Sequence, residues 1–162
     1  MITKIPDIRS VQLTQGRVAK VDAKDFVLVS QYSWHVSGHG YVMAYCGTGR
    51  KDKREIYLHR LIMQPPRSLS IDHINGDKLD NRRSNLRVCT HSQNHQNRPI
   101  GSTNTTGFKG VSIKGTRYRA RIKIKGKEIY LGCTDTPEKA ARLYNKAAKK
   151  LFGNFAVLNE GV

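Results

Sequence analysis

The chain has 162 residues, enough for one domain or two small ones. Lys and Arg number 29 against 12 Asp and Glu, and the resulting formal charge of +17 favours a polyanionic partner, above all a nucleic acid. The sequence contains no run of about 18 apolar residues and no apolar N-terminal segment typical of secretion, so we expect an intracellular protein that makes no membrane contact.

The first 56 residues have the composition of a β-rich region. Asp22, followed by AKDFVLVSQY, predicts the cap of a short helix. The segments YSWHVS, GYVMAYC and EIYLHRL have the aromatic and β-branched content of short strands. Trp34 is expected in the core. His35 and His39 have no acidic neighbour in the sequence, so we expect them to be exposed or at strand ends.

The segment SIDHINGDKLDNRRSNLRVCTHSQNHQN, residues 70–97, places Asp, His and Asn at intervals in a chain that has few carboxylates. Its Asn-Gly-Asp sequence, residues 75–77, predicts a turn. Beyond this turn, we predict a short strand around Leu86–Cys89. A helix should begin near Thr90 and hold Asn94 in its first turns.

Three interpretations of this segment compete: a surface loop of turn residues, a structural metal site and a catalytic metal site. Turn preferences account for Asn-Gly-Asp but not for the ordered set that extends to Asn94. The three cysteines, at positions 46, 89 and 133, form no CxxC pair, which argues against structural zinc. For a catalytic site, Asp72 offers a hard oxygen ligand and His73 a base that titrates near neutrality.

The pattern D-H-I-N-G-D-x-x-D-N-R-x-x-N-L-R-x-x-T-x-x-x-N, residues 72–94, closely resembles the HNH, or ββα-metal, nucleases. The resemblance is greatest to the homing type encoded by phages and introns. It implies one divalent cation, Mg²⁺ or Mn²⁺, bound by Asp72 and Asn94. It also implies that His73 is the general base and that Asn85 pins the loop between the two strands.

Three histidines near this pattern are further candidates for the site. Asn94 stands where other HNH nucleases have their final His, so His91 or His95 is the alternative metal ligand. His59, in the segment LHRLI ahead of the pattern, is typical of the homing subgroup. We treat His59 as a second-tier site residue or a structural one.

The polar stretch SQNHQNRPIGSTNTTG lacks apolar periodicity and predicts a linker, with a domain boundary near Arg98–Thr106. After it, FKGVSIK predicts a strand, and RYRARIKIK alternates basic with apolar residues, which predicts a strand with one cationic face. Lys-Gly-Lys, residues 125–127, predicts a hairpin turn into the strand EIYLG. Thr136-Pro137-Glu138 predicts the start of a helix that ends at Gly153 and covers the apolar face.

The cationic face is expected to bind DNA. Same-face positions 117, 119, 121, 123 and 125 are all Lys or Arg, and these charges repel one another unless phosphates or base edges neutralise them. Arginine also matches the hydrogen-bonding edge of guanine in the major groove. A merely solvated basic surface, as on a ribosomal protein, is the alternative.

Residues 106–159 resemble the AP2/ERF DNA-binding domain. The residues that match are Gly110-Val111, Tyr118-Arg119-Ala120-Arg121-Ile122, Tyr130-Leu131-Gly132, Ala140-Ala141-Arg142-Leu143-Tyr144, Ala147-Ala148 and, near the end, Gly153, Ala156 and Leu158-Asn159. The resemblance implies DNA contacts from the sheet, at Lys109, Lys114, Arg117, Arg119, Arg121, Lys123 and Tyr130. Ser112 stands where plant domains usually have Arg, and their Trp-Gly pair is missing, so their target sequence does not transfer.

Together these features predict an α+β protein: a β-rich N-terminal region with a ββα-metal core, then a three-stranded antiparallel sheet with one helix. We expect a nuclease domain over residues 1–98 with its motif at 57–97, a linker at 99–106 and a DNA-binding domain at 107–162. The predicted function is site-directed cleavage of double-stranded DNA by a monomer that nicks one strand. A non-catalytic DNA-binding regulator on the same scaffold is the alternative. An RNA-binding structural protein is disfavoured, because no exposed aromatic set for stacking bases is evident.

Overall fold

The computed structural model of the chain describes residues 7–47, 49, 52–96, 98 and 100–162. The protein is a mixed α/β structure of small antiparallel sheets and few helices, which confirms that part of the predicted fold class. It divides into two compact units, Met1–Thr90 and His91–Val162. This division falls before the predicted boundary near Arg98–Thr106, and Pro99 of the predicted linker lies outside the described residues.

The first unit begins with a hairpin that the sequence analysis did not anticipate. Strand β1 (Ile8–Gln12) pairs antiparallel with β2 (Val18–Asp22), and Val11, Ala19 and Val21 are buried against the core. Helix α1 (Ala23–Val29) follows directly, which confirms the predicted helix. Asp22 does not cap it with its side chain, because one carboxylate oxygen instead accepts a hydrogen bond from the backbone N–H of Arg83 at 2.8 Å.

A second sheet consists of β3 (His35–Val36), β4 (Val42–Cys46) and β5 (Arg54–Tyr57), all antiparallel. The prediction of a strand over EIYLHRL is wrong in its second half, since helix α2 (Leu58–Met63) begins there. Leu58 and Ile62 are both buried, and their spacing of four residues places them on one helix face toward the core.

The third sheet is the hairpin of β6 (Ser70–His73) and β7 (Leu86–Cys89), and helix α3 (His91–Gln96) follows it. These elements confirm the predicted strand and helix. Gly76 has a φ of 77° in the turn after β6, a left-handed conformation that glycine adopts without strain.

The core of the first unit gathers side chains from all of its sheets and from α1 and α2. Trp34 is buried as predicted, and its indole Nε1–H donates to the carbonyl of Val29 at 2.7 Å. His39 is exposed, and His35 is half-buried in β3, where its ring stacks on that of Tyr45. The core therefore supports the β6–β7 hairpin from one side through Ile71 and Leu86.

The second unit contains a sheet of β8 (Val111–Lys114), β9 (Arg117–Ile124) and β10 (Lys127–Thr134) in the order β10-β9-β8. Lys125 and Gly126 both have positive φ, as a two-residue type I′ hairpin requires. Helix α4 (Pro137–Phe152) begins at the predicted cap and ends at Gly153. Its buried residues pack on Ala120 and Ile122, the apolar face of β9.

Gly110 precedes β8 at a point where β9 and α4 leave no room for a side chain. Its replacement therefore tests this packing. It has a φ of 75°, and a Cβ there would meet the Tyr144 ring and lie 2.6 Å from the carbonyl oxygen of Arg121. We expect Gly110→Ala to lower the free energy of unfolding by about 2 kcal/mol or more, from backbone strain and overpacking together. Urea denaturation measures this loss.

Gly115→Ala is the matched control. Gly115 also has a positive φ, but a Cβ added there would meet no atom within 4 Å, so only the backbone strain of about 1 kcal/mol should appear. Equal losses in the two variants would contradict the packing argument.

Candidate functional site

The loop between β6 and β7 is held by the side chain of Asn85. Its Oδ1 accepts a hydrogen bond from the backbone N–H of Asn75 at 3.0 Å, and its Nδ2 donates to the carbonyl of Asp80 at 2.8 Å. Asn75 in turn accepts from the backbone N–H of Asp77 at 2.9 Å. Because Asn85 is buried, water competes little for these hydrogen bonds, and they fix the path of the loop.

The far side of the same loop is joined to β2. The backbone N–H of Lys20 donates to the carbonyl of Leu79, and the backbone N–H of Asn81 donates to the carbonyl of Lys20, both at 2.8 Å. Asp80 is buried beside this junction and binds the Arg82 guanidinium through both carboxylate oxygens, at 2.7 and 2.5 Å. The Arg82 hydrogen bonds hold the pKa of the Asp80 carboxyl below its usual range.

His73, the last residue of β6, is oriented by Asn81. The distance from His73 Nε2 to Asn81 Oδ1 is 3.3 Å, and Asn81 Nδ2 donates to the carbonyl of Lys78 at 3.1 Å. The second bond assigns Oδ1 as the acceptor, so Nε2 carries the hydrogen and Nδ1 the lone pair of the neutral ring. Burial lowers the pKa of His73 below its ordinary value, although the hydrogen bond to Asn81 and nearby carboxylates oppose the shift.

A second histidine lies against His73. The His59 ring, at the start of α2, meets the His73 ring edge to face with centroids 5.3 Å apart, and the rings of Tyr41 and Tyr57 lie 5.3 and 5.7 Å from His59. His59 is only 8% exposed, and its buried Nδ1 has no hydrogen-bond partner. Burial, with the neighbouring His73 and Arg60, lowers the pKa of His59 to about 3. The ring is therefore neutral and carries an unsatisfied polar atom.

Asp72 points away from this aromatic group and binds Arg87. The two residues are opposite each other in the β6–β7 register, and Arg87 Nε and Nη2 donate to Asp72 Oδ2 at 2.8 and 2.5 Å. Asp72 is 5% exposed, so its carboxylate is bound to the guanidinium rather than to bulk water. Asp72 and His73 thus have separate partners on the two faces of β6.

The remaining predicted ligands lie on α3. Asn94 is half-buried there, whereas His91 and His95 are exposed. Within the described ranges no group of three or more His, Cys, Asp or Glu side chains is placed to hold a metal ion. The predicted ligand pair is the Asp72 carboxylate and the Asn94 amide, and it is not a group of that kind because it contains two side chains, one of them Asn. The roles of Asp72 and Asn94 stay predictions.

The predicted DNA-contacting residues lie on or beside the sheet of the second unit. Lys114, Arg117, Arg121, Lys123 and Tyr130 are exposed, and Arg119 and Lys109 are half-buried. Tyr130 is opposite Arg121 in the register and is 62% exposed. Glu128 of β10 forms an ion pair with Arg121 at 3.0 Å, so an acidic side chain also lies on this face. The face nevertheless carries a clear excess of positive charge.

Sequence reasoning missed three residues of the first-unit site. Asn81 had a usable signal, because it lies between the loop residues of the motif and follows Asp80 directly. Arg87 is found only when the hairpin register is known, since it is opposite Asp72 across the sheet. Tyr41 carries no sequence signal, because it comes from β3–β4 and reaches the histidines only in the folded unit.

The chain is similar to several known proteins. The sequence model of the HNH endonuclease family matches residues 57–96. An uncharacterized HNH endonuclease of Acanthamoeba polyphaga mimivirus is 33% identical over 152 residues, which cover 90% of this chain and 76% of the relative. Protein 3.8 of Escherichia phage T7 is 32% identical over 93 residues, covering 56% of this chain and 76% of the relative.

A plant protein is similar over a shorter stretch. An ethylene-responsive transcription factor-like protein of Arabidopsis thaliana is 35% identical over 54 residues, which are 33% of this chain and 24% of that protein. No solved structure matches the chain significantly. None of the helices in the described part of the chain is long and apolar enough to cross a membrane.

The double hydrogen bond of Asn85 predicts a specific effect of its removal. We expect Asn85→Ala to lower the free energy of unfolding by about 2–3 kcal/mol, because the Asn75 amide and the Asp80 carbonyl lose their partner. Hydrogen exchange at the Asn75 amide should accelerate in the variant. The Leu79 amide, which donates to Asp77 Oδ1 instead, is the internal control and should change less. Unchanged exchange at Asn75 would contradict this role.

Proposed function

The chain belongs to the HNH endonuclease family, whose members are nucleases that hydrolyse DNA, and we propose that it is a homing-type endonuclease that nicks duplex DNA. The proposal includes one divalent cation, Mg²⁺ or Mn²⁺, and action as a monomer. The observation that carries it is the neutral His73, oriented by Asn81 and adjacent to Asp72, inside the segment that matches the family.

His73 is proposed to remove a proton from the attacking water. A general base must be unprotonated, and burial favours the neutral imidazole of His73. The hydrogen bond to Asn81 assigns the lone pair to Nδ1 and restricts rotation of the ring, so the base is ready before substrate binds. As the water attacks the phosphorus, its proton passes to Nδ1, and the bond to the leaving 3′ oxygen breaks.

Asp72 and Asn94 are proposed to hold the cation. Their carboxylate and amide oxygens are donors of the kind that Mg²⁺ and Mn²⁺ prefer, and the Asp72 carboxylate already binds a cationic partner, Arg87. A bound divalent cation supplies stabilisation of the negative charge that develops on the phosphate and on the leaving oxygen. His91 and His95 remain alternative ligands to Asn94, because both are exposed on the same helix.

Asn85 and His59 are proposed to act through His73. Asn85 fixes the loop that carries Asn81, and Asn81 in turn orients the base. His59 packs edge to face against His73 and stays neutral, so it does not repel the proton that His73 receives. The buried Nδ1 of His59 has no hydrogen-bond partner, so it is a polar atom whose burial the packing alone does not explain.

Residues 107–162 are proposed to be an AP2/ERF-like DNA-binding domain. The three-stranded antiparallel sheet with one packed helix, its cationic exposed face and the partial similarity to a plant transcription factor-like protein all support this. Lys114, Arg117, Arg121, Lys123 and Tyr130 are the exposed candidates for contacts to phosphates and base edges.

Nicking is proposed because the chain holds one HNH-like motif, and one such centre acts on one scissile phosphate at a time. Double-strand cleavage then requires two subunits over a two-fold target or successive turnover. A non-catalytic DNA-binding regulator is the second candidate, favoured by Asn94 in place of the final His of the motif.

A plasmid assay tests the proposed chemistry. With Mg²⁺, enzyme held below the plasmid concentration should convert supercoiled target plasmid to open circles well before linear DNA accumulates. We expect His73→Ala to slow cleavage by about 10²–10⁴-fold at unchanged DNA affinity, the usual effect of losing a positioned general base. His39→Ala is the control, because His39 is an exposed histidine of the same unit.

The same assay separates the alternatives. EDTA should stop cleavage and leave the circular dichroism of the folded protein unchanged, since the proposed cation is not structural. No cleavage with Mg²⁺ or Mn²⁺ in the wild type, together with intact DNA binding, would favour the regulator. Linear DNA at the earliest times from a dimeric protein would contradict the monomeric nicking enzyme.

Neutralising exposed lysines of the sheet tests the proposed DNA-binding face. For the double variant Lys114→Met/Lys123→Met, we expect the slope of log affinity against log salt to fall by about two units, roughly one for each lost phosphate contact. The control Lys149→Met/Lys150→Met removes the same charge from the last turn of α4, on the other side of the sheet. If the control pair lowers this slope more than the sheet pair does, the DNA contacts the α4 side of the sheet and the proposed DNA-binding face is wrong.

A further inference from the structure

Lys109 is one of the residues for which the AP2/ERF resemblance implies a DNA contact, but its ammonium group is engaged within the protein. Lys109 Nζ donates to the carbonyl oxygen of Gln96 at 2.7 Å and to that of Arg98 at 2.6 Å. Gln96 is the last residue of α3, and all of these residues belong to the second unit. Lys109 therefore binds the carbonyl end of a helix, where a positive charge is favourable.

The backbone of Lys109 is fixed by the buried side chain of Asn159. Asn159 Oδ1 accepts from the Lys109 N–H at 2.6 Å, and Asn159 Nδ2 donates to the Lys109 carbonyl at 3.1 Å. Asn145 of α4 makes two further bonds to the backbone of Asn159, at 2.9 and 2.8 Å. This chain of hydrogen bonds connects Lys109 to α4 and gives its side chain a rigid base.

Helix α3 is short and polar. It is six residues long, its sequence HSQNHQ is entirely polar, and none of its residues is buried. Helices this short are unstable in water without tertiary support. A cavity of about 570 Å³ is lined by residues of both α3 and the sheet, among them Ser92, His95, Arg121 and Lys123.

We infer that Lys109 is a positioning residue that holds the end of α3, and through it Asn94, rather than a contact to DNA. The role of Asn94 as a metal ligand rests on the proposed function, whereas the effect of Lys109 on α3 does not. Burial lowers the pKa of Lys109 to about 8, which agrees with an ammonium group withdrawn from solvent. The last helix of the nuclease motif would then depend for its order on the module proposed to bind DNA.

Lys109→Met removes the charge and keeps the length of the side chain. We expect hydrogen exchange of the α3 amides to accelerate at least about tenfold, because the carbonyl of the last helical residue, Gln96, loses the ammonium group that binds it. Cleavage measured at saturating enzyme should fall by about 10–10²-fold, since a small misplacement of a reacting group has effects of this size. DNA affinity and its salt slope should stay as in the wild type. Lys109→Arg, which retains two donors, should recover part of the cleavage rate.

The full chain with Lys150→Met is the control, because it removes one exposed charge from α4 far from these contacts in the sequence. If Lys109→Met lowers the salt slope by about one unit and leaves α3 exchange unchanged, Lys109 is a phosphate contact and the inference is wrong. The inference is also wrong if Lys109→Met changes neither the hydrogen exchange of the α3 amides nor the DNA affinity. If the wild type shows no nuclease activity, the proposed function fails, but the exchange measurement still decides whether Lys109 orders α3.

Discussion

Apart from a 3₁₀ turn at Arg83–Asn85, the β6–β7 loop must satisfy its backbone hydrogen bonds outside regular secondary structure, and the orientation of His73 depends on how it does so. Asn85 supplies an acceptor to Asn75 and a donor to Asp80, and β2 supplies the bonds to residues 79 and 81. Unpaired backbone groups beside the buried residues Asp80, Asn81 and Asn85 would be costly, so these bonds select one path for the backbone. That path places the Asn81 amide against the His73 ring.

The β1–β2 hairpin helps to position His73, because Lys20 of β2 hydrogen-bonds to Leu79 and Asn81 of the β6–β7 loop. Without its bonds to the loop, Asn81 would be tied only by its own side chain, and the His73 tautomer would lose its support. Arg83 extends this connection, because its backbone N–H donates to Asp22 and its guanidinium binds Asp25 of α1 at 2.9 and 2.8 Å. The N-terminal region, which has no recognisable motif, is thus part of the framework of the site.

The sequence predicted local elements well where periodicity or capping is strong, as in β9, the type I′ turn and α4. It failed over EIYLHRL because the β-prone residues Ile56 and Tyr57 precede Leu58, while the helix that follows is set by burial of Leu58 and Ile62 in a core not visible from the sequence. Within the site, the motif pointed to His73, Asp72 and Asn85. Tyr41 and Arg87 depend on strand pairing, which one sequence does not reveal.

The positive charges of this chain divide into those that pair with buried carboxylates and those that can bind phosphates. The three buried aspartates that the structure describes, Asp25, Asp72 and Asp80, each bind an arginine: Arg83, Arg87 and Arg82 respectively. Removing one partner of such a pair leaves a buried charge and costs about 3–5 kcal/mol, so these arginines are committed to the fold of the first unit. They add to the formal charge of +17 but are not free to bind phosphates. The exposed lysines and arginines of β8 and β9 are not bound in this way to buried carboxylates, and DNA affinity is therefore expected to concentrate in the second unit.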